Sequence, residues 1–421
     1  MSPLAPTAIG GVEATHAAQF RDPDVADRAY IAAMVYHVVK RYFAHAEALP
    51  AGYDFEARYR AYLAEAIAAP DRKDFSLATM RLFASLRNGH TSFNDEELRQ
   101  QAGTIPFTIM RIDGRWTVVR SRMPELHPSD VVTMIDDKPA DDWLEPIREH
   151  IGPSSQTALD RATWLRPFLF PRHFTIGTDD GRQVPVDLNA SYSGPERGFT
   201  LAKEVETVRR PDGLVVIRIP SFADPKYEQA AIAAIQAAGD ARAILLDLRD
   251  NTGGSSPGKL LSAIMTTPYQ GTLVATPMTI AMNDASNSFN GGISALPTTM
   301  MRYGPDRADQ LPDAWKGKIA LLVDGGCASA CEDFVLRFKD GNRGLVLGEP
   351  TFGSTGQPYF VQFPEFGMSF RVSTKREYFP DGGQFEGVGI QPDKSIPISR
   401  EELRSGIDTQ LELAAKAVLT P

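Results

Sequence analysis

Two strand-to-helix turns in this sequence carry residue types that can do chemistry. The first is LLVDGGCASACEDF, residues 321–334, where an apolar strand runs through a small-residue turn into a helical pattern. Ser329 then stands at or near a helix N-terminus, where unpaired N–H groups and the positive end of the dipole favour a developing oxyanion. A nucleophilic serine suits that placement and so does a plain N-cap, and the local sequence fits both. The second is LLDLRDNTGG, residues 245–254, ending in Gly253-Gly254. Missing side chains there let backbone N–H groups approach a substrate, or simply permit a tight turn. Asp250 and Asn251 are expected to hold this turn through local side-chain hydrogen bonds. Glu332, in a first helical turn, is expected to interact favourably with the dipole.

Cys327 and Cys331 flank Ser329 and are the 2 cysteines of the chain. They are too few for a disulfide framework or a cysteine-built metal site, and small buried thiols are expected, whose alkylation would impair activity without either being catalytic. The 7 histidines (16, 37, 45, 90, 127, 150, 173) include no HExxH and no zinc-like pairing. No metal and no cofactor are therefore expected. Lys plus Arg number 44 against 53 Asp plus Glu, 44 − 53 = −9, with the charges dispersed. That balance argues against a nucleic-acid partner, which needs a concentrated basic surface. No window approaches the roughly 18 apolar residues of a membrane span. The opening MSPLAPTAIGG lacks a charged n-region and an apolar h-region, so the chain as written reads as cytoplasmic, or as periplasmic or secreted if a leader has been removed.

The elements that must position these turns fall into three regions, within the two to four domains expected for 421 residues. Residues 1–100 read as a helical region, with Tyr30, Met34, Val38 and Tyr42, then Tyr59, Leu63 and Ile67, recurring at helical spacing. A helix carrying Leu77, Met80, Phe83 and Leu86 should stop at Asn88-Gly89, leaving His90 just beyond its end. Residues 101–195 read as short β runs, with a tight turn at Asp136-Asp137 and a helix starting near Ala140 to Trp143. The strand-IDDKP-helix order resembles a PDZ-like domain. Residues 196–421 alternate buried strands with helices, the pattern of an α/β core. Asn283 to Leu311, rich in Asn, Ser, Gly and Pro, reads as a surface loop.

Four ordered motifs then resemble one family. LLDLRDNTGG, SACE, LGEPTFGSTGQ and FEGVGIQPD are together similar to the tail-specific and tricorn-core serine peptidases, also called C-terminal processing peptidases. The resemblance implies a crotonase-like α/β catalytic core with an N-terminal helical region and a PDZ-like β-rich insert. It implies Ser329 as nucleophile, with an oxyanion hole made by the N–H groups of Ala330 and of Gly253 or Gly254. In one branch of the family a lysine sits in the turn corresponding to TFGSTGQ; here that place holds Ser354, and residues 340–374 contain no lysine. The tricorn-like branch instead uses a histidine from a GHT-type turn and a glutamate from the ExxGxxPD segment. RNGHTSF offers His90 and EGVGIQPD offers Glu386 in those places. In that branch a serine before the histidine links it to the glutamate, whereas this chain has Gly89, so Glu386 touches His90 directly, acts through water, or only supports the structure.

The resemblance thus implies a serine peptidase acting on peptides or unfolded tails through an acyl-enzyme on Ser329, with His90 as general base titrating near ~6.5 if unperturbed. The alternatives are a ligand-binding member of the same fold without catalysis and an acyl-transfer enzyme. Homo-oligomerisation is left open.

Overall fold

The computed structural model describes residues 20–199, 202–278, 300–308 and 314–420. Its centre is a six-stranded sheet in the order Lys394–Ser395, Val346–Gly348, Lys318–Val323, Ala243–Asp247, Leu214–Arg218, Glu206–Arg209. Neighbouring strands run parallel except Glu206–Arg209, which is antiparallel to Leu214–Arg218. Side chains alternate across a strand, so ILLD and ALLV runs must be apolar on both faces. Val215, Ile217, Ile244, Leu246 and Leu321 pack under the helices Pro225–Ala237, Gly258–Ile264 and Ala330–Asp340. Leu214, Val216, Leu245, Leu322 and Leu347 pack under Thr409–Leu419. The chain therefore turns from strand to helix at the carboxyl edge of a sheet covered on both faces, which is where the doubly covered α/β architecture places its sites.

Residues 20–100 do not bury their apolar faces among themselves alone. The helices Val25–Tyr42, Phe55–Ala68 and Arg72–Ala84 share a core with Phe363, Phe366, Met368, Phe370 and Val372, far along the chain. Strand Ser92–Asp95 pairs antiparallel with Met368–Ser373, placing Ser92 opposite Arg371. The buried stripe of the first helix is Ile31, Val35, Val38 and Val39. Tyr30, expected on that stripe, is 59% exposed, and Ile67 of the next helix is 41% exposed. An aromatic i, i+4 row mimicked the core stripe one position away from it; Tyr30 instead rests edge-on against Phe363. The helix Arg72–Ala84 ends before Asn88-Gly89, and the left-handed residue is Arg87, at φ +48°.

Residues 104–198 carry two further sheets around a core of Trp116, Trp164, Phe170 and Phe174. Asp136 and Asp137 both take positive φ in the expected turn, and the next helix is Ala140–Arg148. A second helix, Gln156–Thr163, stands in a region whose local pattern carries only β signals. Much of the Asn283–Leu311 stretch lies outside the described residues, as does the N-terminal segment considered for a leader; within the former, Met300–Tyr303 is a strand paired with Leu273–Pro277 rather than loop. Among the described residues no helix is long and apolar enough to cross a membrane.

Candidate active site

The strand Lys318–Val323 reaches its carboxyl end at Asp324, and the chain then folds through Gly325 to Ala328 before Ser329 opens the helix Ala330–Asp340. Ser329 takes φ +57°, ψ −122°, a region that side-chain-bearing residues enter at a cost of roughly 1–3 kcal/mol. Its surroundings over-determine it. The Ser329 N–H lies against the Ser354 carbonyl at 3.1 Å and Glu332 Oε2 at 3.2 Å, and the Ala328 N–H donates to the Asn251 carbonyl.

Glu332 does more than complement a dipole. It is fully buried and accepts from Thr351 Oγ1 and the Gly353 N–H on one oxygen, and from the Ser354 and Ser329 N–H groups on the other. Burial pushes its carboxyl up to about 8 against those hydrogen bonds. A glutamate assigned to the helix end thus joins the Ser329 turn to the 351–354 segment.

His90 arrives from the other core. Arg371, opposite Ser92 in the strand pair, donates through Nη2 to the Gly89 carbonyl at 3.0 Å, and the Ser373 N–H donates to Thr91 Oγ1. Asn88 Oδ1 accepts from the His90 N–H and Thr91 Oγ1. Held this way, His90 Nε2 lies 3.2 Å from Ser329 Oγ, and Nδ1 lies 3.0 Å from Ser354 Oγ. Burial, followed by the cationic Arg371, pushes its imidazolium down to about 3, so the ring is neutral near pH 7, well below the ordinary value assumed from sequence.

Glu386 does not touch His90. Its Oε1 accepts from Ser354 Oγ at 3.1 Å, Ser154 Oγ at 2.5 Å and Asn88 Nδ2 at 2.8 Å, and its Oε2 accepts from the Thr355 N–H at 3.2 Å. Burial pushes this carboxyl up to about 7, with the Ser154, Thr355 and Ser354 hydrogen bonds opposing. The connection from His90 to Glu386 therefore runs through Ser354, the residue at the alternative lysine position. A Cβ on Gly89 would lie 3.2 Å from Ser354 Oγ and 3.5 Å from Ser154 Oγ, so two hydroxyls from distant segments fill the space beside a residue that has no side chain.

The glycine turn closes the other side. Asn251 donates to the Ile219 carbonyl, and its Oδ1 accepts the Gly253 N–H at 2.9 Å. That occupies the Gly253 donor. Among the described residues the N–H groups of Gly254 and Ala330 have no hydrogen-bond partner. Gly253, at φ +88°, lies so close to the Ser329 turn that a Cβ would sit 2.5 Å from the Ala328 oxygen and 2.8 Å from the Ala330 nitrogen. Gly253→Ala is accordingly expected to cost roughly 10²- to 10³-fold in any activity that depends on this turn, comparable to losing one oxyanion donor. Steady-state rates with a thermal melt separate that loss from unfolding. Asp250 also has a partner no local pattern indicated: Arg161 bridges it at 2.8 Å to Asp324 at 2.6 Å, joining the helix Gln156–Thr163 to the strand ends.

Cys327 and Cys331 are joined by a disulfide, so the free-thiol expectation is overturned. The turn into the helix brings their Cα atoms to 5.4 Å, within the span a disulfide bridges. The native protein should show no thiol to an aromatic disulfide reagent, and its 2 cysteines should appear only after unfolding with reductant. Thiols titrating in the native state would contradict this pairing.

His90, Ser329, Gly253 and Gly254 line one cleft of about 910 Å³, with Phe107, Ile109 and Trp164 across it. Among the described residues no cluster of three His, Cys, Asp or Glu is arranged to hold a metal ion. A serine on a strained strand-to-helix turn, an imidazole nitrogen within hydrogen-bond reach and a buried carboxylate behind it define the constellation of a serine hydrolase. Comparison with known families is narrower: residues 213–396 match Peptidase family S41. The chain is 25% identical over 290 residues to a probable CtpA-like serine protease of Staphylococcus haemolyticus, a match covering 68% of this chain and 49% of that protein. It is 29% identical over 227 residues to carboxyl-terminal-processing peptidase 2, chloroplastic, of Arabidopsis thaliana, covering 50% and 40%. The chain thus spans about half the length of these relatives or less. The crystal structure of mature CPAF superposes with a TM-score of 0.69 over 94% of this chain and 97% of that one, at 15% identity. The photosystem II D1 C-terminal processing protease superposes at 0.51 over 93% and 97%, also at 15%. Both show a shared fold.

Proposed function

We propose that this protein is a serine peptidase that hydrolyses peptides or unfolded protein tails, with Ser329 as nucleophile and His90 as general base. The observation that carries the reading is the unbroken line Ser329–His90–Ser354–Glu386. Proton accounting gives it direction. If the Ser354 and Ser154 hydroxyls both donate to the Glu386 carboxylate, Ser354 Oγ is left to accept, so His90 carries its proton on Nδ1 and presents a lone pair at Nε2 to Ser329. Ser329 Oγ then attacks a peptide carbonyl as its proton passes to Nε2. The Gly254 and Ala330 N–H groups receive the oxyanion, and imidazolium returns the proton to the leaving amine. Water, deprotonated by the same imidazole, releases the acyl group and restores Ser329.

The CtpA-like and carboxyl-terminal-processing descriptions of the relatives support peptide hydrolysis as the reaction class. A protein that only binds has no use for a serine held at positive φ beside a neutral imidazole. The disulfide supports the periplasmic or secreted alternative, because cytosolic disulfides are rarely structural. The test is fluorophosphonate labelling combined with a peptide-library digest. Wild type should label and cleave, and Ser329→Ala should do neither; equal labelling of both would overturn the assignment. Products heavier than the substrate by one water identify hydrolysis, while a conserved total mass identifies acyl transfer.

A further inference from the structure

A second cavity, of about 670 Å³, adjoins the cleft and shares Ser92, Leu165, Arg166, Phe360 and Arg371 with it. Its walls hold three arginines, Arg99, Arg166 and Arg371, and no Asp or Glu. Each guanidinium is held only by neutral acceptors: Arg99 by Asn94 Oδ1 at 3.1 Å, Arg166 by the Ala162 carbonyl at 2.9 Å, Arg371 by Ser92 Oγ and the Gly89 carbonyl. No carboxylate among the described residues lies within ion-pair distance of any of the three. Several other half-buried arginines face carboxylates, as Arg148 faces Asp160, Arg161 faces Asp250 and Asp324, and Arg249 faces Asp247 and Asp408. Arg343 is held only by backbone carbonyls but stands singly, whereas Arg99, Arg166 and Arg371 share one cavity. Burial together with Arg371 and Arg99 pushes Arg166 down to about 10, the sign of cations gathered without a counter-charge.

Three like charges around one cavity repel one another, and among the described residues no carboxylate neutralises them. The guanidinium fork matches a carboxylate in shape and charge. Phe93, Phe168 and Phe360 complete the walls, apolar surface suited to the methylenes that carry such a group. Leu165 and Phe360, 73% and 60% exposed, stand where the two spaces meet. Arg371 also fixes the Gly89 carbonyl, so the cationic arm opens beside His90 and within reach of a chain lying across Ser329.

We infer that this arm is a specificity subsite for a carboxylate of the peptide substrate, either an Asp or Glu side chain or the free chain end, held by Arg99, Arg166 and Arg371. The inference rests on the peptidase reading for its ligand, and its test separates the two. Four fluorescent alanine-rich peptides of one sequence would be compared, with one interior residue Glu or Gln and the terminus free acid or amide. Binding is measured by anisotropy to full-length Ser329→Ala, and cleavage by wild type is followed by mass spectrometry. At least one acid-bearing peptide should bind roughly 10- to 100-fold more tightly than the Gln amide, as charge-assisted pairing allows, and the margin should shrink with added salt. A preference carried by Glu assigns the side chain, and one carried by the free acid assigns the chain end. Adding Arg166→Gln should bring the ratio to within about twofold of one, by loss of the paired charge. The exposed Arg99→Gln, which should also lower it, carries the test if the Arg166 variant does not fold. Equal binding of all four peptides, or a ratio unchanged in both variants, overturns the subsite. A ratio that responds to the arginines without any cleavage by wild type keeps the subsite and overturns the peptidase reading.

Discussion

Ser329→Ala is expected to lower kcat/KM on a cleavable peptide by roughly 10⁴- to 10⁶-fold, the loss seen when a nucleophile is removed from a hydrogen-bonded unit that acts as a whole. The fold should survive. Ser329 Oγ contacts His90 Nε2 at 3.2 Å, and losing it leaves that nitrogen facing the cleft rather than stranded in a core. The backbone restraints on the turn, from Glu332, Asn251 and Ser354, come through main-chain N–H and carbonyl groups that alanine retains. A second substitution makes the strain itself measurable. Glycine tolerates φ +57°, ψ −122° and alanine does not, so Ser329→Gly should be equally inactive yet more stable than Ser329→Ala by about 1 kcal/mol, read from denaturant midpoints. Equal midpoints would mean the turn carries no strain. Residual turnover within tenfold of wild type would remove Ser329 from the chemistry.

What can be read from the sequence divides by how far apart the cooperating residues lie. The parallel sheet is legible because each strand announces itself in a local apolar run, such as AILLD or KIALLV, and each following helix in a few capping residues. Short motifs single out Ser329, His90 and Glu386 as candidates, and the expected Gly253 donor is instead taken up by Asn251 Oδ1. The link between His90 and Glu386 is not legible. Ser354 stands in view as the residue in place of a lysine, but its hydroxyl meets His90 across 264 positions, and Ser154 meets Glu386 across 232. Nothing in PSSQ, between two helices of the middle region, distinguishes Ser154 from a cap. Glu332 hides its role for the same reason: its dipole interaction is local, whereas its bonds to Thr351, Gly353 and Ser354 are tertiary. A count of cysteines is silent on whether a turn brings two of them together. The pairing of the first helices with Phe363 to Val372 is invisible too, because an amphipathic face states that it needs a partner and not which one.

Activity is expected to rise with pH through about 7, set by Glu386 rather than by His90. In the proposed mechanism the rate requires neutral His90 and a Glu386 that only accepts. Burial holds the imidazolium down to about 3 and the Glu386 carboxyl up to about 7, so as pH falls the glutamate takes its proton first. A protonated Glu386 becomes a donor among donors, Asn88, Ser154, Ser354 and the Thr355 N–H. Ser354 then loses its acceptor and no longer favours the Nδ1–H tautomer that aims Nε2 at Ser329. Glu386→Gln should therefore lower the plateau by roughly 10²- to 10⁴-fold, as wrong-tautomer variants do, and remove the step near 7 from the profile. Glu332, raised to about 8, contributes any limb that persists near 8 in the Glu386→Gln variant, so the informative quantity is the difference between the two profiles of kcat/KM. Ser354→Ala should reproduce the loss. The double variant should be no worse than the poorer single one, because both cut the same connection. Additive losses would mean that Ser354 and Glu386 act separately. A step that persists near ~6.5 in Glu386→Gln would mean that His90 titrates as an ordinary imidazole and that burial does not set its charge.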